Sequence, residues 1–109
     1  MLFINLLVKT AKARILGVIS MDIILTDYME YRGRLRGFDF AAIEDIVRYS
    51  AERYYDMATH RHVAVGRIND KLVLIPYDRQ DDTVTPVTVH VTTRRQINFR
   101  LRTGRFRNE

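Results

Sequence analysis

Hydrophobic residues change their spacing several times along this chain, and the changes divide it into a strand, two helices and a run of further strands. Ile23, Ile24 and Leu25 form a short apolar run, and Thr26 or Asp27 then offers an N-cap for a helix that ends at Gly37. Tyr28, Tyr31 and Leu35 fall near one face of that helix, which predicts its apolar side, while Arg32, Arg34 and Arg36 spread around the remainder. Asp39 caps a second helix. Phe38 and Ile43 have hydrophobic-staple spacing around it, Glu44 and Asp45 suit its N-terminal half, and Ile43, Ile46 and Val47 make its buried stripe. Short helices are marginal alone, so both need a sheet to lie on.

The sheet is predicted to follow. Glu52 to Met57, His62 to Ile68 and Leu72 to Tyr77 are rich in aromatic and β-branched residues, and Ala58 to Arg61 and Asn69-Asp70 supply turns between them. Asp78 to Thr83 reads as a longer acidic loop. Val84 to Thr92 is the cleanest strand, with Val87, Val89 and Val91 alternating against Thr88, His90 and Thr92. The last segment fits two patterns. Ile97, Phe99 and Leu101 alternate as in a strand, yet Thr93-Arg94-Arg95-Gln96 has capping-box spacing and Ile97 with Leu101 shares a helical face. A helix stopping at Gly104 is preferred. The expected class is α+β: strand, two helices, antiparallel meander sheet and basic C-terminal helix, with one face of the sheet open for function.

Residues 22–109 are expected to form a single domain, since 109 residues is well short of two. Residues 1–21 read as a leader or an added N-terminal extension, with translation starting at Met21; a helix packed on the domain is the competing reading. The order of charge and apolar residues there fits neither a signal peptide nor a membrane span, so no membrane association is expected. The chain has no cysteine, which excludes disulfides and thiolate metal sites and suits a cytoplasmic location.

Charge sharpens the picture. The net charge is +5, but residues 22–93 carry nine basic against twelve acidic groups, and residues 94–109 carry six arginines against Glu109 alone. The body is mildly acidic and the C-terminal end strongly basic, and fifteen of the eighteen basic residues are Arg, whose planar fork suits phosphate.

The junction His90-Val91-Thr92-Thr93-Arg94-Arg95 is the most informative spot. Arginines in a helix's first turn oppose the macrodipole, and a bound anion would explain them, held by free N–H groups, the Arg94 and Arg95 forks and the His90 imidazole. Two solvated arginines explain them equally well. His62 or His90 on an open sheet face could serve as general acid or base, against the plainer role of a hydrogen-bonded histidine. The His60-x-His62 pair lacks a third ligand, so neither a metal nor a cofactor is expected. Asp78, Asp81 and Asp82 suit a solvated loop better than a magnesium site. Of Tyr54 and Tyr55, one must face away from the helices.

The order of elements resembles the RelE/ParE toxin superfamily, particularly its BrnT-like branch and related domains of unknown function. The residues that carry the likeness are Tyr31-Arg32-Gly33-Arg34-Leu35-Arg36-Gly37-Phe38, Glu44-Asp45-Ile46-Val47, the meander from Arg61 to Val73 and the closing Thr88 to Arg95. The resemblance spans residues 22–105 and rests on pattern. It implies a metal-independent endoribonuclease toxin that steers a ribose 2′-hydroxyl onto the adjacent phosphate, silenced by an antitoxin-like protein. By position His90, Arg94 and Arg95 would be catalytic, with His62 or Arg67 as inner-strand companions, and Arg67, Arg100, Arg102 and Arg105 would bind nucleic acid. The departure from the pattern is an acidic body in which Lys71 is the sole lysine after Lys12. The alternatives are a non-catalytic module that binds RNA or a protein partner through its arginine-rich end, and a homodimer formed through a sheet edge.

Overall fold

In a computed structural model the described residues are 21–109, so the expectation of a leader falls almost wholly outside them. Their element order is β1 (Asp22–Ile23), α1 (Asp27–Leu35), α2 (Phe40–Tyr49), β2 (Arg53–Asp56), β3 (Arg61–Ile68), β4 (Lys71–Gln80), β5 (Thr83–Pro86), β6 (His90–Val91), α3 (Arg94–Arg102) and β7 (Phe106–Asn108). The fold is α+β. Seven strands form one sheet in the order β1-β5-β4-β3-β2-β7, with β6 also on β4. The sheet is mixed, because β1 lies parallel to β5 while the other pairs are antiparallel. No helix among the described residues is long and apolar enough to cross a membrane.

Local chemistry accounts for the element ends. The Thr26 hydroxyl accepts the Met29 N–H at 3.2 Å and starts α1, Gly37 leaves it at φ 70°, and the Asp39 carboxylate accepts the Ala41 N–H at 3.2 Å to start α2. Asn69 and Asp70 take positive φ and close a two-residue hairpin between β3 and β4. The acidic stretch is shorter as a loop than its composition suggests. β4 runs on through Asp78 to Gln80, paired with β5, and Asp81-Asp82 alone make the turn.

The two faces of the sheet bury separate clusters. On one, Met29, Phe38, Ile43, Ile46 and Val47 from the α1–α2 region cover Ala64, Ile68, Val73, Ile75, Tyr77 and Val84. Fit is tight: a Cβ added at Gly66 would lie 2.6 Å from Ile46 Cγ1. On the other, Ile97 and Leu101 of α3 cover Tyr54, Val63, Val65, Leu72, Leu74 and Phe106. The second face is therefore not open, as the sequence suggests, but partly roofed by the basic helix.

The apolar face expected for α1 is turned the other way. Tyr28, Tyr31 and Leu35 are 57%, 55% and 63% exposed, whereas Met29 and Gly33, four residues apart, face the core. Gly33 is small enough to let the Phe38 carbonyl and Ile43 approach, so closeness of packing, not side-chain bulk, selects the buried side.

The strand expected from Val84 to Thr92 is broken. Two residues of β4, Ile75 and Pro76, stand opposite three on the outer strand, Val87, Thr88 and Val89, which is a β-bulge. The cause lies in Pro76. Its carbonyl accepts the Val87 N–H at 2.8 Å, so the N–H it lacks would have pointed to the same neighbour, and the ladder cannot continue there. Because side chains alternate in a strand, the extra residue exchanges the faces beyond it: Val89 joins the α1–α2 core and His90, paired with Leu74, faces α3.

Candidate phosphate-binding pocket

That change of face brings His90 to a pocket of about 190 Å³ between the sheet and α3. Its lining combines apolar Val63, Leu74, Pro76 and Phe106 with the polar side chains of Arg61, Arg100, Arg105, Asp56, Thr59 and Thr88. Each cation arrives on a different element. Arg61 comes from β3, Arg100 from α3, and Arg105 from the turn opened by Gly104 at φ 79°, after which β7 pairs with β2 and fixes Phe106 opposite Asp56.

Two of these arginines are matched. Arg105 grips both oxygens of buried Asp56 at 2.9 and 3.0 Å, and Arg61 donates to Asp78 at 3.1 Å. Burial pushes the Asp56 carboxyl up, but the Arg105 guanidinium and the Ala58 N–H outweigh it and hold its pKa below the usual value. Arg100 is different. Its guanidinium lies 5.3 Å from the centre of the Phe106 ring, it has no carboxylate partner among the described residues, and burial together with Arg105 lowers its pKa. Thr88, on the bulge, adds a buried hydroxyl with no hydrogen-bond partner.

His90 keeps an open edge toward solvent. Burial lowers its pKa from 6.5, and the charges of Arg36 and Arg32 at the end of α1 and of Arg100 on α3 push it the same way. The imidazole is thus neutral at pH 7, able to take a proton and to accept a hydrogen bond.

The other expected site residues are dispersed. Arg94 donates to Glu52, which also accepts from the Tyr54 hydroxyl, so it ties the start of α3 to the start of β2. Arg95 lies on the outer flank of α3 with Arg102, beside a second hollow that also touches Arg100 and Arg105. His90, Arg94 and Arg95 therefore do not converge. Thr93 does cap α3, its hydroxyl accepting the Gln96 N–H at 3.1 Å, but the arginine that reaches the pocket is one and a half turns further on. His62 is on the opposite face, stacked on Tyr77 with centroids 5.3 Å apart and bonded to Glu109. Arg67 sits near the β3–β4 turn, donating to the Asp70 carbonyl. No group of three or more His, Asp or Glu residues is placed to hold a metal ion among the described residues.

Sequence reading missed Arg61 and Asp56. Their alternation in β2 and β3 places them on one face, but only the pairing of Asp56 with Arg61 and Phe106 makes a site of them. It also missed Arg53, whose guanidinium donates to the Val47 and Ser50 carbonyls and so closes the C-terminal end of α2. Compared with family models, curated proteins and solved structures, the chain matches none.

Proposed function

We propose that this protein binds RNA by seating a backbone phosphate in the Arg100–His90 pocket and cleaves the strand there. The observation that supports the reading is Arg100: a half-buried guanidinium, unpaired among the described residues, sharing a pocket with a neutral imidazole. A phosphate oxygen is the partner such a cation lacks. The resemblance to RelE/BrnT-type ribonucleases points to the same substrate class.

The chemistry uses the chain's own groups. His90 takes the proton of a ribose 2′-hydroxyl, and the oxygen attacks the adjacent phosphorus. The bond from phosphorus to the 5′-oxygen breaks, leaving a 2′,3′-cyclic phosphate on one product and a 5′-hydroxyl, protonated from solvent, on the other. Arg100, with Arg61 and Arg105, stabilises the charge that builds on the phosphoryl oxygens. The test is incubation of purified protein with labelled RNA, with and without EDTA, and with a strand carrying a single 2′-deoxyribose. Cleavage should survive EDTA, stop at the deoxy position and fall about 100-fold or more in His90→Ala. Its kcat/KM should rise with pH through a midpoint below 6.5, the direction in which burial, and then the charges of Arg36, Arg32 and Arg100, shift His90.

One observation favours a second reading, RNA binding without cleavage. Asp56 is held by Arg105, so the pocket offers no carboxyl acid to protonate the departing oxygen. RNA retarded on a gel but recovered intact would select it. No retardation and no cleavage would sink both.

A further inference from the structure

Phe99 is 58% exposed on the outer flank of α3, and its surroundings are unusual for a stray surface aromatic. Arg95 and Arg102, four residues before and three after it, share its side of the helix, and Gln96, Arg100, Thr103 and Arg105 complete a shallow hollow of about 520 Å³. α3 holds four arginines and no acid in nine residues. Among the described residues Arg95, Arg100 and Arg102 have no salt-bridge partner, and the nearby Asp56 is engaged by Arg105, so positive charge around the exposed ring outweighs negative. Arg100 and Arg105 line both this hollow and the His90 pocket, which makes the two sites neighbours on one continuous basic track.

We propose that Phe99 is a stacking platform for an unpaired nucleobase next to the phosphate in the His90 pocket, with Arg95 and Arg102 holding the following backbone phosphates, so that the substrate is single-stranded RNA. The inference rests on the RNA reading above and narrows it. A base pressed on an aromatic ring must be unstacked and unpaired, which a duplex does not offer, whereas every base in a flexible single strand presents a π-face. Arginines flanking the ring suit this doubly, pairing with phosphate and stacking on the outer base.

The chain contains no tryptophan, so Phe99→Trp installs a unique fluorophore at the ring itself. Full-length wild type, Phe99→Trp, Phe99→Ala and Arg100→Ala are titrated at fixed low salt with a single-stranded RNA 12-mer, the same sequence as a duplex, and its DNA counterpart. Expected are single-strand binding about five- to a hundredfold weaker for Phe99→Ala, with duplex binding unchanged, and quenching of the Phe99→Trp indole by the single strand only. Because the side chain is exposed and alanine favours helix, Phe99→Ala should fold as wild type does. Wild-type affinity in Phe99→Ala, or equal quenching by the duplex, overturns the stacking site; if Arg100→Ala loses binding in the same titrations, the phosphate pocket stands without it. Wild type that binds neither form of RNA removes both.

Discussion

The two faces of the sheet are built from the same strands yet handle charge in opposite ways. Under α1 and α2 the core is larger and most polar groups serve the fold: Arg53 closes the end of α2, Arg48 pairs with Glu44, and His62 lies against Tyr77, with the buried Nε of Arg32 on α1 the exception that lacks a partner. Under α3 the roof is partial. The helix contributes Ile97 and Leu101 to a smaller cluster and leaves a pocket in which Arg100 lacks a carboxylate and Thr88 a hydrogen-bond partner. In a small domain a ligand finds its place at the face where burial is incomplete and charge is left unmatched.

The comparison can be broken by substitution on each face. Ile43 and Ile97 are both fully buried, and truncating either to alanine should cost about 3 kcal/mol in urea unfolding. Only Ile97→Ala, which frees the roof, should also weaken RNA binding, and equal binding by the two variants would refute the division of labour. Gly66→Ala forces a methyl to within 2.6 Å of Ile46 and should cost about 2 kcal/mol by lifting α2, with RNA binding intact.

Asp56→Asn should cost about 1 to 2 kcal/mol, less than a fully buried pair, because the Arg105 side chain is 39% exposed. The pH dependence has a definite sign. The folded-state pKa of Asp56 lies below its ordinary 3.8, so its contribution is present above that value and is lost as pH falls through the lower one. Wild type should lose more stability than Asp56→Asn on acidification below about pH 4. The smallest effect is expected for Arg94→Ala. Its pair with Glu52 is half exposed and worth about 0.5 kcal/mol, and RNA affinity should fall far less than in Arg100→Ala. A larger loss in Arg94→Ala would restore the helix start as the anion site.

Much of this architecture is legible along the chain because its causes are local. Thr26, Asp39 and Thr93 cap helices through their own side chains, Asn69-Asp70 turns a hairpin, and Gly104 ends α3 through positive φ, each decided within a few residues. Of the candidate site, His90 and the basic C-terminal end could be read, and Arg100 was among the residues expected to meet nucleic acid. Its company could not. The alternation from Val87 to Thr92 sets His90 on the opposite face from Val89, as observed, but it also groups Val87 with Val89, whereas the bulge at Pro76, eleven residues upstream of Val87, puts Val87 and Thr88 together beside His90 in the pocket. Pro76 inside an otherwise clean strand was the available signal.

The amino-acid order fixed the three helices with their caps, the β3–β4 hairpin and the concentration of arginine in the last sixteen residues, since these follow from dihedral preference, capping and composition, whereas β7 and the division of the outer strand into β5 and β6 do not. Long-range packing set the rest: α1 buries Met29 and Gly33, α3 and β7 enclose the far face, and Arg100 meets His90 there. Those outcomes depend on which strands pair and in what register, and a single extra residue opposite Pro76 is enough to move a side chain from one face of the sheet to the other.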